Sequence, residues 1–303
     1  MRFNIPIGIF YNKNKDTQIM NTDLLLLKTY FGWTSFINPD KAAHKSFRLF
    51  QKVRKKEIRE REEHFFAFTR NFQVHTLKEP VDCFELGNPT GDLVILVHGW
   101  DSNAGSMSMI AHALAKSGKR VISFNLPGHA FHKSSSTNLI ECKDAFLSVV
   151  EFLNPEKPFS VVAHSFGSAV STYALAKKDL QVDKIVLLTN PNKIETIFKE
   201  FKSIIGLGNR AYQKLLKLSL DKLGEPLKNI SVQENLKKIN YQSLLLIHDK
   251  HDKVLPYHHS AEINNEIENA QLITLENVGH YKMLWNHEVI SRTTGFVNGK
   301  QVF

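Results

Sequence analysis

From residue 93 onward, short apolar runs alternate with longer stretches of helical periodicity. The runs are rich in Val, Ile and Leu and cover residues 93–97, 120–124, 159–163, 184–189, 243–248 and 271–275. The helical stretches cover residues 104–116, 139–153, 167–177, 260–268 and 287–296. Continuous apolar runs are typical of strands buried on both faces, and strands that alternate with helices form βαβ units. The pattern predicts an α/β fold with a mostly parallel central sheet and helices on both faces.

Two segments depart from this alternation. About fifty residues separate the run ending at Thr189 from the run starting at Ser243. Within them, residues 194–205 and 212–223 have apolar positions at helical spacing, and Ser231 with Glu234 has the spacing of a capping box. We interpret residues 191–240 as a helical cap inserted after strand six. Upstream, residues 72–77 and 81–86 flank a Lys-Glu-Pro turn and predict adjacent antiparallel strands. The sheet domain is then residues 71–190 and 241–303.

Residues 1–70 are expected to form a basic helical extension. The chain has 303 residues and a formal net charge of +9, and its first 80 residues contain fifteen basic and eight acidic side chains. Opposite charges lie four apart between Lys52 and Glu63, which predicts an exposed helix, and an apolar stripe from Ala43 to Val53 would dock it on the protein. A solvated helix is the favoured interpretation. Contact of residues 41–63 with an anionic surface is the alternative, and no nucleic acid partner is expected.

The composition also bears on the compartment. Two cysteines, Cys83 and Cys142, are too few for a disulfide framework, which favours a reducing, cytoplasmic environment. No stretch approaches the roughly 18 apolar residues of a membrane span. Residues 1–10 are apolar but are interrupted by Asn4, Pro6 and Gly8 and lack a cleavage site, so no signal peptide is expected.

The strongest local signal is Phe159-Ser-Val-Val-Ala-His-Ser-Phe-Gly167, a buried strand followed by Ala-x-Ser-x-Gly and a helix. A nucleophile on a tight strand-to-helix turn needs small residues two positions to either side, because the turn brings backbones close together. Ala163 and Gly167 meet this demand around Ser165. The motif therefore predicts a nucleophilic serine, with a helix-capping serine as the alternative.

A serine nucleophile needs a base and an acid that orients the base. His280 follows the last predicted strand and Asp252 follows the one before it, so Ser165, Asp252 and His280 come in the order Ser, Asp, His, each at the carboxyl end of a separate strand. Asp249 competes with Asp252, but Val254 and Pro256 would anchor the loop that carries Asp252. His248, Asp249, His251 and Asp252 could together be imagined as metal ligands, but the zinc motif HExxH is absent, so no metal site is expected. No cofactor is expected either.

Acyl transfer places negative charge on the carbonyl oxygen, and backbone N–H groups must stabilise it. One donor should be the N–H of Phe166, directly after the serine, and the other an N–H of a loop after an earlier strand. His98-Gly99-Trp100 closes the strand 93–97 and provides that loop. Gly99 permits close backbone approach, His98 orients the loop, and the N–H of Trp100 is the predicted donor.

With these residues the chain resembles the α/β-hydrolase superfamily, and within it the lidded serine esterase and lipase-like branch with a His-Gly-Trp oxyanion loop. The resemblance covers about residues 72–298. Family members commonly have Asp-x-Pro-Gly-His-Gly where this chain has Asn125 and Ala130, and commonly Gly where it has Ala163. The resemblance implies an eight-stranded, mostly parallel sheet, a cap between strands six and seven, and hydrolysis through an acyl-serine. It rests on five motifs in order, His98-Gly99-Trp100, Asn125-Leu-Pro-Gly-His129, Ala163-His-Ser-Phe-Gly167, Asp252-Lys-Val-Leu-Pro256 and Gly279-His280.

The expected function is a serine hydrolase that cleaves carboxylic esters. Apolar cap residues such as Phe198, Phe201 and Tyr212 suggest a small-molecule ester with an apolar acyl or alcohol group, although such stripes more often pack a core. The same three side chains would also serve a thioesterase, an aminopeptidase-like enzyme or a carbon–carbon bond hydrolase. A non-catalytic scaffold that binds an anionic surface is the remaining alternative.

Overall fold

The computed structural model describes residues 17–301. The prediction that residues 1–10 are not a signal peptide lies outside these residues. Contacts divide the chain into two compact units. Of the described residues, 17–54 group with Lys193–Ser231, and we call this the helical unit. Lys55–Asn192 group with residues 232–301, and we call this the sheet unit.

Eight strands form one sheet in the order β1-β2-β4-β3-β5-β6-β7-β8. Strand β2 pairs antiparallel with both β1 and β4, and the remaining pairs are parallel. The predicted eight-stranded, mostly parallel sheet is therefore confirmed. The strands are β1 (Arg70–Val74), β2 (Val81–Gly87), β3 (Leu93–Val97), β4 (Arg120–Phe124), β5 (Phe159–His164), β6 (Gln181–Leu188), β7 (Asn240–Asp249) and β8 (Ala270–Leu275).

Eleven α-helices are found in residues 17–301, and short 3-10 helices cover Ala104–Met107, Leu227–Asn229 and Lys282–Trp285. In chain order the α-helices are α1 (Thr17–Ile37), α2 (Pro39–Phe50), α3 (Glu60–Phe68), α4 (Ser108–Lys116), α5 (Leu139–Leu153), α6 (Phe166–Leu175), α7 (Ile194–Ile205), α8 (Asn209–Leu223), α9 (Val232–Leu236), α10 (His258–Glu266) and α11 (His287–Val297). Helices α7 and α8 occupy the interval between β6 and β7 where the sequence predicted an insertion.

The core of the sheet unit follows from the apolar runs. Strand β5 is buried at all six positions, and β3 is buried at four of five. Apolar residues of α4 and α11 pack against the central strands in one cluster that includes Ile110, Leu114 and Phe296. Because β3, β5, β6, β7 and β8 are mutually parallel, their carboxyl ends meet at one edge of the sheet, where open α/β sheets bind their ligands.

The helical unit has its own core. Helices α1 and α2 pack with α7 and α8 in the same unit. The ring of Phe50 lies 4.5 Å from that of Phe198 and 5.0 Å from that of Phe201. Phe198, Phe201 and Tyr212 are all buried in this cluster together with Leu27. These side chains therefore contribute to the core of the unit, and an apolar substrate group stays a prediction.

The prediction of an exposed helix between Lys52 and Glu63 is wrong for most of this segment, because α3 begins only at Glu60. Arg59 is extended at the N-cap position, and the buried carboxylate of Glu62 accepts from the N–H of Arg59 at 3.1 Å. The same carboxylate accepts from Asn103 Nδ2 at 2.8 Å. Lys56 Nζ donates to the carbonyl of Ser134 at 3.1 Å. Charged side chains of this segment therefore cap the start of α3 and make tertiary contacts, and they do not line a solvated helix face.

Candidate active site

Ser165 lies between β5 and α6 with φ 53° and ψ −122°, a strained conformation for a residue with a side chain. Such conformations persist only where the surroundings impose them. The N–H of Ser165 donates to the carbonyl of Leu188 on β6 at 3.0 Å. A Cβ on Gly167 would lie 2.3 Å from the carbonyl oxygen of Val97 and 2.6 Å from that of His98. The turn therefore requires glycine at position 167, as the sequence motif implied.

His280 lies on the loop after β8, five residues past the end of that strand, and its ring contacts the serine. Its Nε2 lies 3.0 Å from Ser165 Oγ, and its Nδ1 lies 2.8 Å from Asp252 Oδ2. A carboxylate can only accept, so Nδ1 carries the hydrogen and Nε2 is left to accept from the serine hydroxyl. This tautomer is the one that can remove a proton from a hydroxyl group.

Asp252 is held in place from several sides. Its Oδ1 accepts from the N–H groups of Val254 at 2.7 Å and Leu255 at 3.0 Å. Its Oδ2 accepts from the hydroxyl of Thr189, at the end of β6, and from His280. Burial opposes ionisation of the carboxyl, but the hydrogen bond and charge interaction with His280, followed by the bonds from Thr189 and Val254, hold the pKa of Asp252 well below its usual range.

Asp249, the competing acid, is buried at the end of β7 and contacts a different part of the site. Its carboxylate accepts from the N–H of Gly279, from Asn277 N at 3.2 Å and from His251 N at 2.8 Å. Asn277 and Gly279 both have positive φ, 61° and 82°, in the loop that carries His280. Asp249 thus fixes the conformation of that loop, while Asp252 contacts the imidazole.

The loop after β3 lies beside the serine turn. A Cβ on Gly99 would lie 3.0 Å from Ser165 Cβ and 3.0 Å from His164 Nδ1, so the backbone there closely approaches the turn. The indole of Trp100 packs edge-on against the ring of Phe166, with centroids 4.9 Å apart. Phe166 is the first residue of α6, so its N–H has no acceptor within the helix.

His98 stabilises this loop. Its Nδ1 donates to the carbonyl of Gly99 at 2.7 Å, and its Nε2 accepts from the N–H of Leu126 at 3.0 Å. Both nitrogens are used in the neutral tautomer. Burial and, secondarily, the neighbouring His129 hold the pKa of His98 well below its ordinary value. Ala163 is fully buried and pairs with Val97 of β3 in the sheet, so it places the turn directly beside this loop.

His164 and Thr189 contact the site residues and were not anticipated from sequence. His164 Nε2 donates to the carbonyl of His280 at 3.0 Å, and burial lowers the pKa of His164 to about 3. Thr189 has φ 47° and donates its hydroxyl to Asp252. A signal for Thr189 existed, because it follows β6 at the same edge of the sheet as the other site residues. No motif marked His164, which lies within the elbow itself.

The segment in which the chain departs from the common family pattern also supports the site. Asn125 is buried, and its Oδ1 accepts from the N–H of Ala104 at 2.9 Å. Ala130 has φ 45°. This left-handed conformation favours glycine, which explains why glycine is the common residue there. Between them, His129 Nε2 accepts from the N–H of Asp101 at 3.2 Å and so connects this segment to the loop after β3.

Within residues 17–301, no group of three or more His, Cys, Asp or Glu side chains is arranged to hold a metal ion. Over the same residues, no helix is both long enough and apolar enough to cross a membrane.

Comparison with known proteins supports the architecture. Residues 92–205 match a family model described as the alpha/beta hydrolase fold. A serine hydrolase-like protein of Dictyostelium discoideum is 33% identical over 99 residues. That match covers 31% of this chain and only 27% of the relative's length.

Solved structures resemble most of the chain. An esterase from Pyrococcus furiosus has a TM-score of 0.62 and 17% identity, covering 82% of this chain and 97% of its own. A meta-cleavage product hydrolase from Pseudomonas fluorescens has a TM-score of 0.56 and 18% identity, covering 75% of this chain and 97% of its own. Likeness at this identity concerns the fold. Together with the family model, it shows that the chain has the α/β-hydrolase fold.

Proposed function

We propose that this protein is a serine hydrolase that cleaves carboxylic esters through an acyl-serine intermediate. One observation carries the proposal: hydrogen bonds run continuously from Asp252 through His280 to Ser165, with 2.8 Å and 3.0 Å between the heavy atoms. Two backbone N–H groups hold the Asp252 carboxylate, and each of the three residues follows a different parallel strand. The fold and its hydrolase neighbours agree with this assignment, although fold alone does not determine activity.

In the first half of the reaction, His280 Nε2 takes the proton of the Ser165 hydroxyl as Oγ attacks the acyl carbon. Asp252, whose pKa lies well below its usual range, remains ionised and stabilises the imidazolium that forms. The carbonyl oxygen becomes an oxyanion, which the N–H groups of Phe166 and Trp100 stabilise. His280 then returns the proton to the alkoxy oxygen, the ester C–O bond breaks and the alcohol leaves.

In the second half, a water molecule replaces the alcohol. His280 takes a proton from the water as its oxygen attacks the acyl-serine, and the same backbone N–H groups stabilise the second oxyanion. The proton then passes to Ser165 Oγ, the acyl–serine bond breaks, and the carboxylic acid leaves. The enzyme returns to its starting state, with no redox step and no cofactor.

Replacement of Ser165 tests the proposal. We expect Ser165→Ala to lower kcat for a short p-nitrophenyl ester by at least about 10⁴-fold, because the reaction loses its nucleophile. The parent protein should also gain one covalent adduct from a fluorophosphonate probe, located on residue 165 by mass spectrometry, and the variant should gain none. The circular dichroism spectrum of the variant should match that of the parent protein.

Ser171 provides a matched control. It lies on α6, and its hydroxyl donates to the carbonyl of Gly167 at 2.9 Å, away from His280. Ser171→Ala should keep ester hydrolysis within about threefold of the parent protein. If Ser165→Ala retained full turnover, or if both variants lost activity equally, the assignment of Ser165 as nucleophile would be wrong.

The bond cleaved needs a separate comparison. Parallel assays with an ester, a thioester and an aminoacyl anilide of the same acyl group give a kcat/KM for each bond. The proposal expects the ester to be preferred over the anilide by orders of magnitude. A higher kcat/KM for the thioester or the anilide would keep the three side chains in their roles and change the substrate class.

A further inference from the structure

Helix α1 is apolar on two opposite faces. Leu27, Phe31 and Ser35 are buried against the rest of the helical unit. The opposite face, which we call the outer face of α1, consists of Leu25, Leu26, Thr29, Trp33, Phe36 and Ile37. At 100° per residue these six positions lie within about 120° of one another on the helix surface. A helix that is apolar all round is normally buried all round.

The outer face is nevertheless exposed. Phe36 is 86% exposed, Ile37 72% and Trp33 66%. A Cβ on Gly32, beside this face, would have nothing within 4 Å. Exposed side chains of this size, contiguous on one helix face, mark an interaction site and not a typical solvated surface.

The charge of the chain is concentrated in the same unit. The described part of the helical unit, residues 17–54 and 193–231, has fourteen basic and six acidic side chains. The sheet unit has twenty-two basic and twenty-three acidic side chains. The positive charge of the protein therefore belongs to the unit that contains the outer face of α1. On the adjacent helix α2, Lys41, Lys45 and Arg48 are exposed.

We propose that the outer face of α1 docks on the surface of an anionic lipid bilayer. Trp, Phe and Leu side chains on one helix face, within a positively charged unit, are the features of helices that lie in the membrane interface. The apolar side chains enter the boundary between headgroups and acyl chains, and the basic residues of the unit are attracted to anionic headgroups. The proposal concerns attachment to a surface and is independent of the bond that the enzyme cleaves.

The apolar side chains favour a bilayer over the other anionic partner, nucleic acid. Phosphates would engage the lysines and arginines and would leave Phe36 and Ile37 in water. A bilayer removes both side chains from water and also satisfies the charge. The single acidic residue of the described part of α1, Asp23, is not part of the outer face.

Vesicle binding by the full chain tests the proposal. We expect cosedimentation with phosphatidylcholine vesicles that contain phosphatidylserine, little with phosphatidylcholine alone, and weaker binding as salt is raised. Binding should shift the emission of Trp33 to shorter wavelength, and Trp33→Phe should abolish the shift. The double variant Phe36→Ser with Ile37→Ser should lower the partition coefficient by at least about tenfold, since two large apolar groups no longer enter the lipid.

The matched control removes two exposed apolar side chains of the sheet unit, Phe68→Ser with Leu77→Ser, which are 74% and 89% exposed. This variant should bind vesicles like the parent protein. Four outcomes would overturn the proposal. The first two are no binding to anionic vesicles and equal losses of vesicle binding in the two double variants. The third is a dimer that the Phe36 and Ile37 substitutions dissociate. The fourth is protection of Trp33 from acrylamide without vesicles, which would show that the chain itself covers the outer face of α1. Nucleic acid binding that survives the Phe36 and Ile37 substitutions, without vesicle binding, would favour the other partner.

Discussion

At the scale of single residues, two carboxylates three positions apart have different partners. Asp252 Oδ2 accepts from the imidazole of His280 at 2.8 Å. Asp249 instead accepts from backbone N–H groups of the loop before that imidazole, Asn277 and Gly279 among them. In the proposed mechanism Asp252 orients the base, His280, whereas Asp249 holds the backbone of the loop that carries His280. Replacement of each carboxylate should therefore affect a different measurement.

We expect Asp252→Asn to lower kcat for ester hydrolysis by about 10³ to 10⁴-fold, because an amide NH₂ group facing Nδ1 favours the wrong imidazole tautomer. Asp249→Asn should lower kcat by less than about tenfold and should lower the free energy of unfolding by about 1–3 kcal/mol, since the backbone N–H groups that bond to the buried Asp249 side chain lose a charged acceptor. Steady-state kinetics and urea unfolding of both variants check this. If Asp249→Asn were the less active variant, the two roles would have to be exchanged.

At the scale of elements, the contact between the start of α6 and the end of β3 determines where the serine lies. The backbone of Gly167 approaches the carbonyls of Val97 and His98 so closely that even one methyl group would overlap them. Ser165, with its strained φ, and Gly99 lie next to each other at the same contact. The helix, the strand and the loop after it are thus packed backbone to backbone.

Gly167→Ala should therefore destabilise the sheet unit by about 3 kcal/mol or more, because the obstructing atoms are backbone and cannot rotate away. Gly32→Ala is the matched control. Gly32 is also a helical glycine, in α1, but a Cβ there would meet nothing within 4 Å, so we expect no loss and a gain of up to about 1 kcal/mol from helix propensity. Thermal and urea unfolding give both values. Equal losses would mean that the close contact at position 167 contributes nothing.

At the scale of the whole molecule, several histidines at the carboxyl edge of the sheet are buried and have lowered pKa values, His98, His129, His164 and His248 among them. Burial, the largest cause, lowers the pKa of His129 to about 4 and that of His164 to about 3, and the pKa of His98 also lies well below its ordinary value. In an unfolded chain each histidine titrates near its ordinary pKa of about 6.5. Between these values the unfolded state binds more protons than the folded state.

Stability should consequently fall as the pH is lowered from about 6.5 towards 4. Above pH 6.5 both states are neutral at these sites and nothing is lost. At pH 5, each of His129 and His164 costs about 2 kcal/mol, at about 1.4 kcal/mol per pH unit. Asp252 does not contribute in this window, since its lowered pKa keeps it ionised in the folded state. Free energies of unfolding from urea titrations at pH 7 and pH 5 measure the loss.

The substitution His129→Gln should reduce this pH dependence, whatever it does to stability at pH 7. His75→Gln is the control, because His75 is exposed in the loop after β1. The control should show the same difference between pH 7 and pH 5 as the parent protein. An unchanged difference in His129→Gln would show that the burial of this imidazole is not what makes the protein acid-sensitive.

The sequence was sufficient to predict the sheet and the positions of the proposed nucleophile, base and acid. Apolar runs mark buried strands, and residues directly after parallel strands must lie at one edge of the sheet. Asp252 and His280 were predicted on this ground, and Ser165 from the Ala-x-Ser-x-Gly motif between a strand and a helix. In the structure the ring of His280 lies within hydrogen-bonding distance of both Ser165 and Asp252. The information is local in each case: a strand, its end and the next few residues.

Tertiary structure alone decided the rest. Charges spaced four apart from Lys52 to Glu63 satisfied the local rule for a helix, but Glu62 is buried against Arg59 and Asn103, a partner 41 residues away. Local spacing also could not show that α1 and α2 share a core with α7 and α8, about 150 residues further along the chain. Nor could it assign Asp249 to the loop of His280. Such contacts depend on which segments, distant in sequence, pack together and exclude water. The spacing of residues along the sequence does not determine this.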